Sequence, residues 1–368
     1  MTAYRIDTLF PSFPAEDWRH HASALKMEMK RVLLSGQFIL GEEVAAFERE
    51  FAEWLGASHV IGVGSGTDAI ELMLRALDIG AGAKVVVPSF APSAVAAAVQ
   101  RAGAAVVLAD IEADTFTLSA ESLDAVLRSE AGQGVRAVIV VHLFGHAADW
   151  ESLQAVAAEH GVVLLEDAAQ AHGATWRGQR VGTLARAAAF SFYPTKNLAA
   201  MGDAGAVVTS DVALAERVQE LRQYGWRERY VSASCGVNSR LDELQAAVLR
   251  VKLRTLEERL AERRALAARY AELAPAVRAE CDHAWHLMVL RSAQRDALAE
   301  HLDRCGVPVA IHYPRALHEQ PAFVCGTVLP EAARAAREVL TLPLHPYLTM
   351  EAVDVVVAAV NAFAHAAR

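Results

Sequence analysis

Five short apolar runs, at residues 60–64, 85–88, 104–110, 137–141 and 162–167, alternate with Ala-rich segments at about 67–77, 93–102, 119–129 and 150–160. The runs are rich in Val, Ile and Leu along their length, which predicts strands buried on both faces. The segments between them carry helical patterns. Strand, helix and strand at this spacing require right-handed crossovers, and so predict an α/β fold with a parallel sheet covered by helices.

The alternation runs once more, from a strand at 206–210 into a helix ending near Tyr224, and a single long charged helix is then expected over about 241–273. Beyond Pro275 the elements shorten around an aromatic and His cluster, and a last Ala-rich helix begins near Met350. This pattern suits a smaller α+β unit, so two domains are expected, 1–250 and 251–368, with neither repeats nor a flexible linker. With 54% hydrophobic and 21% charged residues, a disordered or low-complexity chain is excluded. The net charge of -9, with no basic cluster to oppose it, argues against a nucleic-acid partner.

Cys235, Cys281, Cys305 and Cys325 form no C-x-x-C pair and read as reduced thiols of a cytoplasmic protein. The stretch from Met1 to Trp18 lacks the apolar block of a secretory signal. The uncharged stretch between Lys84 and Arg101 is broken by Pro88 and Pro92 and is too short to span a membrane. No membrane association is expected.

In an open parallel sheet, ligands bind beyond the carboxyl ends of the strands. Four polar groups stand just after apolar runs: Gly64-Ser65-Gly66-Thr67, Ser89-Phe90, His142 and Glu166-Asp167. The glycines of Gly62-Val63-Gly64-Ser65-Gly66-Thr67 let backbone N–H groups approach a phosphate at the positive end of a helix. A glycine turn with a capping Ser is the plainer reading of the same residues. The spacing is G-x-G-x-G, and Val87-Pro88-Ser89 stands where a dinucleotide fold places a ribose-binding acid, which argues against nicotinamide and flavin.

Lysine is scarce, with only Lys26, Lys30, Lys84, Lys196 and Lys252. Four of them have charged or helix-surface neighbours. Lys196 is the sole charged residue from Ala187 to Gly202, and an amine among apolar and hydroxyl groups loses its proton readily, as a Schiff-base nucleophile must. Asp167 closes an apolar run twenty-nine residues earlier, where a partly buried carboxylate needs a cationic partner such as a protonated pyridine nitrogen. A phosphate cradle, a carboxylate, a lysine and the aromatic Phe90 together make a binding set for pyridoxal 5'-phosphate. Taken singly, each has a structural alternative: a cap, an ion pair, a solvated lysine.

On Glu166-Asp167-Ala168-Ala169-Gln170-Ala171-His172-Gly173, the segment from Ser191 to Leu198, and Gly236-Val237-Asn238-Ser239-Arg240-Leu241-Asp242-Glu243-Leu244-Gln245-Ala246-Ala247, the chain resembles the DegT/DnrJ/EryC1/StrS sugar aminotransferases. The resemblance extends from Ser35-Gly36-Gln37 to Leu342-Pro343-Leu344-His345-Pro346. It implies an aspartate-aminotransferase-like fold of type I and a ping-pong reaction through pyridoxamine phosphate. It further implies that Lys196 bonds the cofactor and then shuttles protons, that Asp167 holds the ring nitrogen protonated, that Gln170 bonds the phenolic oxygen and that Phe90 lies against the ring. Gly66, Thr67 and Ser191 are implied to hold the phosphate, with Asn238 reaching it from the neighbouring subunit of a homodimer. His312 and Tyr313 resemble the sugar-facing part of such sites, and Arg240 a group for the donor's carboxylate.

The implied donor is L-glutamate and the implied acceptor a keto nucleotide-linked sugar. Segments such as Leu221-Arg222-Gln223-Tyr224-Gly225-Trp226 resemble the branch acting at C3 of dTDP-3-keto-6-deoxyhexoses, in making deoxyamino sugars for lipopolysaccharide O-antigen or antibiotics. A 4-keto sugar is the alternative. A sugar dehydratase of the same family carries His where Lys196 stands, and a non-catalytic sensor need not keep Lys196, Asp167 and Gln170 together. In Gly202-Asp203-Ala204-Gly205, alanine replaces one of the family's usual paired glycines, at a cost of about 1 kcal/mol if that position requires a positive φ.

Overall fold

The computed structural model describes residues 9–274, 276–324 and 326–366, so Cys325 and the first part of the stretch from Met1 to Trp18 lie outside the described residues. Helices α1 (Phe13–Ser35) and α2 (Glu42–Leu55) precede strand β1 (His59–Val63). The expected crossovers follow: α3 (Gly66–Ala76), β2 (Lys84–Pro88), α4 (Ser93–Arg101), β3 (Ala105–Ala109), α5 (Ala120–Arg128), β4 (Val135–Val141), α6 (Trp150–His160) and β5 (Val163–Asp167). After a hairpin of β6 (Thr175–Trp176) and β7 (Gln179–Arg180), the sheet is completed by β8 (Ala187–Ser191) and β9 (Gly205–Thr209), and α7 (Val212–Leu221) covers it.

Seven strands pair in the order β1-β9-β8-β5-β4-β2-β3. The pairs β2 with β3, β2 with β4, β4 with β5 and β5 with β8 are parallel. β9 runs antiparallel to both β8 and β1, because the chain returns directly through residues 192–204 without a crossover helix. Adjacent residues of one strand enter different cores. Val85 and Val87 pack with Ile139, Val141 and Leu165 on one face, whereas Val86 packs with Val138, Val140 and Leu164 on the other. Burial on both faces is why the runs read as continuous rather than alternating.

Beyond α7 a short hairpin, β10 (Trp226–Glu228) and β11 (Val231–Ser232), precedes α8 (Glu243–Leu253) and α9 (Leu256–Arg269). The long helix expected over 241–273 is thus two helices. The chain breaks at Arg254 and Thr255, where the Thr255 hydroxyl donates back to Lys252 O at 3.2 Å and also lies 3.0 Å from His21 Nε2. β12 (Cys281–Asp282) pairs with β6, and β13 (Met288–Arg291) pairs antiparallel with β14 (Val339–Leu342). Helices α10 (Arg295–Arg304), α11 (Pro330–Glu338) and α12 (Met350–Ala366) complete the chain. A separate core of Leu266, Tyr270, Met288, Leu302, Leu342 and Val356 lies there. Cys235, Cys281 and Cys305 are free thiols. No helix among the described residues is long and apolar enough to cross a membrane.

Candidate active site

The ends of β4, β5 and β8, the loop before β9 and the start of α3 meet at one edge of the sheet and line a cavity of about 310 Å3. Register brings them together: Gly205 pairs with Ser191 on one side and with Val63 on the other. Glycine is required at two points of this junction. A Cβ on Gly66 would stand 2.7 Å from Ser191 Cβ, and one on Gly205 would stand 2.3 Å from the Ser65 carbonyl carbon. Small residues thus let the first turn of α3 lie directly against the end of β8. The Ser65 hydroxyl accepts from Asp68 N at 3.1 Å and is committed to capping that helix. The first-turn N–H groups of Gly66 and Thr67 have no helical acceptor, which suits them to an anion. Gly66, Thr67 and Ser191 all line the cavity.

Asp167 ends β5 at the cavity wall, only 4% exposed. One oxygen accepts from Ala169 N at 3.0 Å, and no donor among the described residues bonds the other. Burial pushes its carboxyl up, against the pull of the Ala169 N–H and of the charges of Lys196 and His142. Lys196 lines the same cavity, and its amine makes no hydrogen bond or ion pair among the described residues. Burial lowers that amine to about 8, with nearby Asp167 opposing the shift. The pair is a basic amine and a carboxylate, each short of partners and facing one space.

Gln170 is also in the wall, with Oε1 accepting from Phe144 N at 2.7 Å and Nε2 donating to the Tyr313 hydroxyl at 3.0 Å. Tyr313 is thereby fixed beside the cavity, and His312 is held by a 2.9 Å contact between Nδ1 and the Thr341 hydroxyl. Burial, then the charge of Lys196, lowers the His312 ring's basicity.

Other expected residues stand elsewhere. The Phe90 ring is fully buried among Phe116, Phe144 and Tyr313, with centroids 6.2–6.3 Å away, and is not in the cavity wall. Pro92 and Ala94 form the wall there, because the chain turns past the end of β2 and the alternation of side chains does not continue. The His142 ring accepts from Ala148 N and faces Glu166, and Ser89 is 2.6 Å from His318 Nδ1, so both serve the scaffold. Asn238 is exposed and Arg240, half-buried, lies 5.9 Å from the Tyr224 ring; neither lines this chain's cavity. Tyr193 and Asp203 do line it, although nothing in the spacing singles them out. Ala204 keeps a φ outside the left-handed region, so the departure from a glycine pair brings no strain.

Residues 20–361 match the family model described as DegT/DnrJ/EryC1/StrS aminotransferase family. The chain is 46% identical over 352 residues to the erythromycin biosynthesis sensory transduction protein EryC1 of Saccharopolyspora erythraea, covering 92% of this chain and 95% of that one. It is 43% identical over 354 residues to the dTDP-3-amino-3,4,6-trideoxy-alpha-D-glucose transaminase of Streptomyces venezuelae, with 92% of each covered. The crystal structure of S. venezuelae DesV in complex with a ketimine intermediate superposes with a TM-score of 0.92 at 40% identity, over 96% of this chain and 98% of that one. The sheet and its covering helices are those of fold type I. Both the sequence match and the architecture assign the chain to the DegT/DnrJ/EryC1/StrS aminotransferase family, whose enzymes depend on pyridoxal phosphate.

Proposed function

We propose that this protein transfers an amino group from L-glutamate to C3 of a dTDP-linked 3-keto-6-deoxyhexose, in the cytoplasm, as a homodimer. The observation that carries the reading is the Lys196 amine, unpartnered among the described residues, facing the cavity it shares with the Asp167 carboxylate, in a chain 43% identical to a dTDP-3-amino sugar transaminase. The residues fit pyridoxal phosphate. Asp167 has an oxygen free for a ring N–H, Lys196 has a free amine for an aldehyde, and a cradle kept open by Gly66 suits a phosphate. When bound, the cofactor supplies an aldehyde that takes up an amine and a ring that draws electrons from the substrate carbon.

In this reading Asp167 would accept the ring N–H and keep the proton there, which would give the buried carboxylate a cationic partner. Gly66, Thr67 and Ser191 hold the phosphate. Lys196 would hold the aldehyde carbon. The burial that lowers the basicity of its amine would favour the neutral form, which could take a proton from the donor's carbon and return one in the second half of the cycle. Gln170 has one amide hydrogen left after its bond to Tyr313, which would serve the phenolic oxygen. His312 and Tyr313 face the sugar. Asn238, outside this chain's cavity lining, would reach the phosphate in the site of a second copy, and Arg240 would take the donor's carboxylate. The division into 1–250 and 251–368 sets the sugar-facing segment apart from the cofactor floor.

Keeping Lys196, Asp167 and Gln170 together in one wall favours catalysis over a sensory role, although one relative carries a sensory name. The test is incubation with L-glutamate and a panel of keto nucleotide sugars, followed by NMR of the products. The expected product carries its new amine at C3 of a dTDP sugar. Amination at C4, or of none of the panel, overturns the reading.

A further inference from the structure

Lys252, which its sequence neighbours place on a helix surface, is 8% exposed and sits behind the loop that carries Lys196. Its ammonium donates to Ala199 O at 2.8 Å and forms an ion pair with Asp17 of α1. Asp17 is itself 6% exposed and accepts from the Tyr347 hydroxyl at 2.8 Å. Seven residues earlier, on the same side of α8, Gln245 grips the next part of the loop at both ends of one residue. Its Oε1 accepts from Met201 N at 2.8 Å and its Nε2 donates to Met201 O at 3.2 Å. From the other side, Ala200 N donates to Phe192 O at 2.7 Å and Asn197 donates to Ala284 O at 2.9 Å.

A connection of this length between two strands is ordinarily among the more mobile parts of a protein. Here one helix face holds Ala199 and Met201, three and five residues beyond Lys196. An ion pair withdrawn from water is costly and is a poor means of stabilising a core, since apolar residues of similar volume do at least as well. The arrangement makes physical sense if what it supplies is position, because placing a catalytic amine needs tolerances near half an ångström.

We infer that Lys252 and Gln245 are positioning residues: α8 clamps the loop from behind and so sets where the Lys196 amine stands relative to Asp167. The inference rests on the reading of Lys196 as the residue that bonds the cofactor. Lys252 and Gln245 reach the loop through Ala199 O, Met201 N and Met201 O, so the clamp acts on Lys196 through the backbone that carries it.

The test uses the full chain loaded with pyridoxal phosphate, as wild type, Lys252→Met, Lys252→Arg and Gln245→Leu. Three quantities are read: the pH midpoint of the absorbance change of the lysine-bound cofactor, the maximum rate at which L-glutamate discharges that absorbance, and the glutamate concentration giving half that rate. In Lys252→Met the maximum rate is expected to fall about 10- to 100-fold with the half-saturating concentration little changed, since small misplacements of reacting groups cost that much. The pH midpoint moves with it, and Lys252→Arg restores most of the rate. Gln245→Leu leaves the buried ion pair intact and shows a smaller loss of the same kind, so the inference is still tested if Lys252→Met does not fold. Wild-type protein without a lysine-bound band sinks the reading of Lys196 and this inference with it. A normal wild type, with maximum rate and midpoint unchanged in Gln245→Leu and in whichever Lys252 variants fold, overturns the clamp alone.

Discussion

Glu166 and Asp167 are adjacent carboxylates at the end of one strand, both almost fully buried, and the fold treats them in opposite ways. Glu166 accepts from Gly182 N at 2.6 Å, Leu184 N at 2.9 Å and Ala185 N at 2.8 Å, and His142 Nε2 lies 3.2 Å away. Among the described residues Asp167 accepts from Ala169 N alone. Successive side chains of a strand point to opposite faces, so one acid enters the layer that anchors residues 182–185 and the other enters the cavity. A saturated buried carboxylate fixes a loop. An under-satisfied one beside a cavity is left for a ligand to complete.

That contrast is most severely tested by removing the amine that faces Asp167. Lys196→Ala is expected to lower amine transfer by at least about a thousand-fold, as loss of a covalent catalyst does, while circular dichroism shows an intact fold. Asp167→Asn comes next. It exchanges an acceptor for a neutral amide, and the glutamate half-reaction should slow by about 100- to 1,000-fold, with cofactor retention less affected. Glu166→Gln, one residue away, should reverse the pattern: about 2 kcal/mol of stability lost in chemical denaturation, because the new NH2 cannot accept from the N–H groups at 182–185, and the absorbance of bound cofactor unchanged. If Glu166→Gln slows the half-reaction as much as Asp167→Asn does, the division of roles between the two faces is wrong.

The smallest effect expected is on the stability of cofactor-free protein. The Lys196 amine is lowered from 10.5 to about 8, so between those values the folded state binds fewer protons than the unfolded state and stability rises with pH. Below about 8 the buried ammonium is a burden. Lys196→Met should then be the more stable protein at pH 7, by about 3 kcal/mol, with the difference fading as the pH approaches 10.5. Thermal melting across that range measures it, and a wild-type protein more stable than Lys196→Met at pH 7 would count against an unpaired, desolvated amine.

How much of this is legible in sequence depends on the distance over which each feature is decided. The crossovers, the glycine turn before α3 and the isolation of Lys196 are local patterns, and each appears where the pattern puts it. The reversed direction of β9 is not marked in its own residues, because it follows from a missing helix between 192 and 204. Phe90 and Pro92 both follow β2, and which of them faces the cavity is settled by a turn beyond the strand's regular alternation. Lys252 looks like a surface residue of a charged helix until Asp17, 235 positions earlier, is brought against it. The break at Thr255 likewise involves a partner on α1, His21.

The central claim is that one lysine of five bonds the cofactor, and borohydride reduction of the loaded protein followed by peptide mass mapping tests it directly. The account predicts the added mass of a reduced pyridoxal phosphate on the peptide containing Lys196 and on no other. The label on Lys26, Lys30, Lys84 or Lys252 instead, or on none, contradicts it.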